Sequence, residues 1–213
     1  REFKDQELVI YGLDRLTYGE VAAQAAHFAR VLATEHSIIA GDRIGIVLPN
    51  KPEWIISFVA VAALGAVPVL INARAAEDEL DYCLSSVNCR ACITERTTGL
   101  GIRKIHPSEC RSNAAGDTAL ELVERDPSDE AILMFTSGTT GKPKAAVLSH
   151  QGLMSAMKTI HYSSALIAIQ MAEKYGVDYE TLLQMRPPPV TLLVFPLFHV
   201  SGCHAVFLSN LMQ

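Results

Sequence analysis

Nine consecutive residues, Thr136-Ser137-Gly138-Thr139-Thr140-Gly141-Lys142-Pro143-Lys144, combine the side chains that grip a phosphate chain. Gly138 and Gly141 open the backbone N–H groups to a ligand and tolerate positive φ. Thr136, Ser137, Thr139 and Thr140 add hydroxyl donors, and a threonine hydroxyl can also ligate Mg²⁺ carried by the phosphates. Lys142 and Lys144 bring the charge. A charge-assisted hydrogen bond contributes about 1.5–3 kcal/mol net, so one such lysine changes binding roughly ten- to a hundred-fold. The anion that this set fits best is a polyphosphate.

The loop is not a Walker loop. That motif needs four residues between its glycines and a serine or threonine after its lysine, whereas here two residues separate Gly138 from Gly141 and Pro143 follows Lys142. Turns use glycine and threonine for purely conformational reasons. Two lysines within one short loop flanked by apolar runs favour ligand binding over that bland explanation.

The elements that must present the loop can be read outward from it. Ile132 to Phe135 and the apolar segment after Lys144 predict strand, loop, strand. Upstream, Leu8–Tyr11 and Arg15–Thr17 bracket Gly12-Leu13-Asp14 as a hairpin. Thr17 and Glu20 form a capping box for a helix running to about Glu35, with Val21, Ala25, Phe28 and Leu32 on one face. Arg43–Leu48 reads as a buried strand, Asn50 as the cap of a helix with Pro52 in its first turn, and Val67–Ile71 as the next strand. A helix over Ala75–Ser86 with Leu80 and Leu84 inward precedes the strand Ala91–Thr94.

Three strand–helix units in succession predict an α/β fold of layered, largely parallel sheets with flanking helices. Residues 96–128 read as a connector with short strands. Beyond the loop, Leu153, Met157, Ile160, Ile167 or Ala168, Met171 and Tyr175 mark a helix from His150 to Tyr175, closed by Gly176, with its methionines as core filler. Arg186-Pro187-Pro188-Pro189 is a stiff spacer, Thr191–Phe195 a fourth buried strand, and Cys203–Gln213 helical. Two sub-parts are expected, 1–128 and 129–213.

With 213 residues and 49 % hydrophobic content the chain can bury a substantial core. A net charge of −5 gives no basic footprint for nucleic acid or anionic lipid. The apolar run Ile55–Ile71 is broken by Ser57, Gly65 and Pro68 and falls short of the roughly 20 residues of a spanning helix. Cys83, Cys89, Cys92, Cys110 and Cys203 are an odd set. Cys89 and Cys92 have redox or zinc spacing but no second close pair, so reduced thiols and a cytoplasmic location are expected. Arg1 without an initiator methionine, and a helical pattern reaching Gln213 without a stop signal, lead us to expect a chain cut at both ends.

The nine-residue loop resembles the signature of the AMP-forming adenylate enzymes, the superfamily of acyl-CoA synthetases, luciferases and peptide-synthetase adenylation domains. Leu16-Thr17-Tyr18-Gly19-Glu20, Gly41-Asp42-Arg43-Ile44-Gly45-Ile46, Leu64-Gly65-Ala66-Val67-Pro68-Val69 and Pro196-Leu197-Phe198-His199 are similar to further family segments, in family order. Ala145 stands where the family usually has glycine, which would restrict the backbone just after Lys144. The stretch between His150 and Phe195 is longer than is usual. The resemblance covers only the N-terminal part of such an enzyme, without its ribose-binding aspartate, hinge or C-terminal lysine.

What the resemblance implies is an ATP-dependent acyl-CoA ligase. A carboxylate, fatty or aryl, attacks the α-phosphate of ATP to give acyl-AMP and pyrophosphate, and the thiol of coenzyme A then displaces AMP. Thr136, Ser137, Gly138, Thr139, Thr140, Gly141, Lys142 and Lys144 correspond to its ATP contacts, Thr136 to its Mg²⁺-associated threonine, Lys144 to a catalytic group and His199 to the histidine beside the acyl pocket. The fragment alone is expected to be inactive. The alternatives are an adenylation domain that loads a carrier protein and a non-catalytic phosphate-binding fold.

Overall fold

The computed structural model of the chain describes residues 3–97, 101–111, 119–136, 141–185 and 190–211. They form two compact units, residues 1–150 and 151–213. The first opens with an antiparallel hairpin, β1 (Glu7–Tyr11) and β2 (Asp14–Thr17), turned at Gly12 with φ of +62°. Thr17 then caps α1 (Tyr18–Thr34) as expected. Its hydroxyl accepts the Glu20 N–H at 3.1 Å, and the Glu20 carboxylate accepts the Thr17 N–H at 2.8 Å.

A six-stranded sheet follows, built from β3 (Arg43–Val47), β4 (Val67–Leu70), β5 (Ala91–Thr94), β6 (Arg103–Ile105), β7 (Glu130–Thr136) and β8 (Lys144–Ser149), in the order β6-β5-β3-β4-β7-β8. All neighbours are parallel except β7 and β8. The crossovers β3–α2–β4 and β4–α3–β5 travel in opposite directions along the sheet, where α2 is Pro52–Ala63 and α3 is Glu77–Ser86. Right-handed crossovers then put α2 and α3 on opposite faces.

Side-chain alternation agrees with that placement. Val47, Val67, Val69 and Cys92 pack with Leu80, Cys83 and Leu84 of α3. Ile44, Ile46, Leu70 and Ile93 are equally buried from the other face, the side of α2 and α1. Gly45 lets α3 approach, since a Cβ there would lie 2.6 Å from Leu84 Cδ2. On α2, Trp54 and Phe58 stack at 5.3 Å, as their four-residue spacing predicts.

Several expectations need correction. α2 takes Lys51 as its N-cap, not Asn50; with Pro52 at the first helical position, the chain turns one residue later. The connector does contain a short strand, β6, as expected, and adds a 3₁₀ turn at Pro107–Cys110. The helix α4 runs over His150–Tyr175 as expected, but its buried residues are Met157, Ala168 and Ala172. Met171 and Tyr175 are exposed because the small alanines, rather than the large apolar residues, face inward. Gly176, φ +67°, ends it in a Schellman turn, with Gly176 N–H bonded to Glu173 O and Val177 N–H to Ala172 O. The helix α5 (Tyr179–Met185) follows.

Thr191–Phe195 is not a strand. Leu192 is 83 % exposed, and Val194 N–H bonds back to Leu192 O instead of to a neighbour, since no described strand lies in this unit to supply a ladder. Residues 186–189, the proline spacer, lie outside the described residues. The unit ends in α6 (Val200–Gly202), a π-helical turn over Cys203–Leu208 and α7 (Ser209–Leu211). The dividing line expected after residue 128 and the compact boundary at His150 differ because β7 and β8 belong hydrogen bond by hydrogen bond to the first sheet.

All five cysteines are free. Loss of water around the thiolate pushes Cys89, Cys92, Cys110 and Cys203 up to about 12, and Cys83 to about 11, from 9.0. The folded state therefore favours the protonated thiol, and the unfolded chain loses its protons first. This contribution is fully present below the unfolded value of 9.0 and is lost as pH rises through the folded values. We expect urea midpoints to fall between about pH 8 and about pH 11, and Cys92→Ala, whatever its cost at the lower pH, to show a smaller fall.

Candidate functional site

The loop of interest is the turn of the β7–β8 hairpin. β7 is held by β4 through the parallel pairs Val69↔Leu133 and Leu70↔Met134, and β8 pairs with β7 down to Thr136↔Lys144. The two ends of the loop are thus cross-strand partners, and the Thr136 hydroxyl donates to the Lys144 carbonyl at 3.3 Å. A strand buried on both faces cannot slip by one residue without reversing its side chains. Ile132 and Leu133 are both 1 % exposed, so β7 fixes where the loop begins.

Thr136, Gly141, Lys142 and Lys144 are brought together at this hairpin and are all exposed. Gly141 has φ of +84°, the left-handed conformation for which glycine was expected, and a Cβ there would meet open space. Ser137, Gly138, Thr139 and Thr140 lie outside the described residues. Ala145 pairs with Phe135 in the ladder. The only described non-glycine residues with positive φ are Ser37 and Asn88, so the alanine in place of the usual glycine introduces no left-handed strain.

Sequence reasoning missed what lies beside the loop. A cleft of about 640 Å³ is lined by Ala76, Asp78, Glu79 and Tyr82 of the α3 region and by Gly141, Lys142 and Pro143. Lys142 Nζ stands 5.0 Å from the centroid of the Tyr82 ring, inside cation–π range. The signal was present in α3: with Leu80 and Leu84 inward, Asp78, Glu79 and Tyr82 are left to other faces. Nothing in local spacing says which loop meets them.

His199 belongs to the second unit. It is exposed and caps α6, with its Nδ1 accepting the Ser201 N–H at 3.3 Å and lying 2.8 Å from Ser201 Oγ. An accepting Nδ1 leaves the neutral ring's proton on Nε2. Gly202 makes this turn possible, because a Cβ there would collide with the Pro196 carbonyl. Five residues beyond His199, His204 is 4 % exposed, and both of its ring nitrogens are buried without a hydrogen-bond partner among the described residues. Cys89 and Cys92, the pair with redox spacing, lie half-buried at the lip of β5 and buried within it, and no group of three metal-ligating side chains occurs among the described residues.

The solved structures that resemble this mainly parallel α/β fold include N-terminal subdomains of adenylate-forming enzymes. The model of the AMP-binding enzyme family matches residues 1–213, and the chain belongs to that family. It is 32 % identical to the long-chain-fatty-acid–CoA ligase FadD13 of Mycobacterium tuberculosis over 92 % of this chain and 38 % of that one. Among solved structures, o-succinylbenzoate CoA synthetase from Bacillus subtilis, in complex with its acyl-adenylate intermediate, superposes with a TM-score of 0.69 at 27 % identity, covering 98 % of this chain and 50 % of that one. The N-terminal subdomain of NpsA from Klebsiella oxytoca, in complex with 3-hydroxyanthranilyl-AMSN, gives 0.64 at 28 % identity over 73 % and 39 %. The chain spans well under half the length of the FadD13 ligase.

Burial holds His204 below its ordinary 6.5. The folded state favours the neutral ring, so this contribution is present above the unfolded value and is lost as pH falls through it. Thermal midpoints should drop on acidification below about pH 6.5, and His204→Leu should show a smaller drop, read by differential scanning fluorimetry at matched ionic strength.

Proposed function

We propose that the intact protein is an AMP-forming acyl-CoA ligase, with residues 1–213 as the N-terminal part of its AMP-binding domain. The observation that carries this is the hairpin: one turn, locked at Thr136 and Lys144, sets two lysines and an unobstructed glycine at the exposed end of a buried strand. The donor set suits a magnesium–nucleotide. Lys142 and Lys144 are exposed cations, Thr136 keeps its oxygen lone pairs at the loop mouth while its proton goes to Lys144 O, and Gly141 admits close approach.

In the first half-reaction an acid substrate's carboxylate attacks the α-phosphate of ATP, and the bond to pyrophosphate breaks. Lys142, Lys144 and the Ser137–Thr140 segment orient the β- and γ-phosphates and offset the charge of the departing pyrophosphate. Thr136 would hold Mg²⁺, which when bound spreads phosphate charge during transfer. In the second half-reaction the coenzyme A thiol displaces AMP. His199, with its neutral-ring proton on Nε2, serves the acyl side. Five free cysteines are consistent with a cytoplasmic setting. Residues 1–213 alone are not competent, and the carboxylic acid is fatty or aryl.

The test is carboxylate-dependent pyrophosphate release by the intact protein across a panel of acids, followed by thioester formation with CoA. Lys144→Ala should lower the rate by about 10²–10³, the typical loss on removing one preorganised donor. Unchanged turnover in that variant would remove Lys144 from the catalytic machinery, and no carboxylate-dependent pyrophosphate release from any acid of the panel would favour a non-catalytic phosphate-binding fold. Transfer to a carrier phosphopantetheine but not to CoA would select a carrier-loading domain.

A further inference from the structure

Lys142 has two fates available on this surface. It can serve the anion of the loop, or it can stay where the structure puts it, over Tyr82 at 5.0 Å. Tyr82 is a firm platform, because its ring is half-buried and packs against the core cluster of Val47, Val69, Leu80 and Leu133. Asp78 and Glu79 line the same cleft, so the potential around the ammonium is favourable without a direct ion pair to either among the described contacts. The residue before a proline is disfavoured in the helical region, and Lys142, ahead of Pro143, stands in a bend before β8 begins at Lys144.

We propose that Tyr82 is a positioning residue for Lys142: its ring holds the loop lysine in the ligand-free state and surrenders it to an inorganic polyphosphate or to the phosphate tail of a nucleotide. This rests on the polyphosphate role of the loop given above. The magnitudes permit the transfer. A cation–π contact at an exposed site is worth roughly two- to five-fold in an equilibrium, against roughly ten- to a hundred-fold for a charge-assisted hydrogen bond. The lysine is kept in place near its target yet is released by any ligand that offers a phosphate oxygen. The hold must also oppose binding, by roughly two- to five-fold.

The test uses the intact protein with its lysines reductively ¹³C-methylated, the Lys142 signal being assigned by its loss in Lys142→Arg. Above an aromatic face that signal is shifted upfield. Tyr82→Leu should return it to the position of the exposed lysines, Tyr82→Phe should retain the shift, and Mg²⁺ with inorganic pyrophosphate should abolish it in the wild type. In a pyrophosphate titration, Tyr82→Leu should bind about two- to five-fold tighter, and this gain should vanish in a Lys142→Ala background. A wild-type Lys142 signal indistinguishable from other lysines would overturn the Tyr82 contact and leave the ligase assignment untouched. A gain that persists without Lys142 would overturn the coupling in the same way. An upfield signal that pyrophosphate does not move, together with full activity in Lys144→Ala, would overturn both the handover and the polyphosphate role of the loop.

Discussion

The parallel pairing of β4 with β7 is the constraint on which the arrangement of the loop depends. β7 enters the sheet beside a strand that is buried on both faces, and its own Ile132 and Leu133 are sealed in the core. The strand thereby acquires a fixed register, and β8 inherits it through the antiparallel ladder. At the opposite end of the strands, Arg43 on β3 reaches across to Glu130 at the start of β7, with Nε 2.8 Å from Oε2, and also donates to the Val87 carbonyl at 2.9 Å. The beginning of β7 is pinned by charge and its middle by packing, so its end, where Thr136 stands, has little freedom. A loop asked to meet a phosphate chain within hydrogen-bond distance needs a fixed base of this kind.

Much of the first unit was legible because its signals are local. A capping box is written within four residues, and Thr17 with Glu20 closes both of its bonds. The runs at β3, β4 and β5 lack alternation because each is covered on two faces, which is the mark of a parallel sheet. What failed did so where the deciding partner is distant. Thr191–Phe195 has the composition of a buried strand, but a strand is half of a pairing, and without a ladder in its unit the segment stays exposed. On α4 the inward face is chosen by the small volume of Ala168 and Ala172, so that the larger Met171 and Tyr175 lie outside. Periodicity marks a stripe; packing decides which stripe faces in.

The same division runs through the candidate site. Gly141 could be assigned a turn from its type alone, and its φ of +84° shows the physical need for it. Gly202 is comparable, being required by the closeness of the Pro196 carbonyl rather than by its own φ. Ala145 shows the converse: a residue that departs from the family's glycine sits without strain because its place is an ordinary ladder position opposite Phe135. For Tyr82 the helical spacing told only that it leaves the inward face, not what it would meet, and His204 carried no legible signal. A tyrosine on the outer part of an amphipathic helix is commonplace, and a histidine in an apolar helical run gives no sign that both of its nitrogens will be buried without a partner.

Pro143 sharpens what the loop can and cannot offer. It has no N–H, so the loop gives up one backbone donor at that point. It also gains a restriction, since the helical region is disfavoured for a residue ahead of proline. Next to it, Lys144 opens β8 and is held by the ladder opposite Thr136. The two lysines are therefore unlike in freedom. One is anchored by backbone pairing, the other is restricted only in φ and ψ and steadied by a weak aromatic contact. An anchored cation presents its charge at one place on the hairpin, and a looser one can shift its charge over the neighbouring surface.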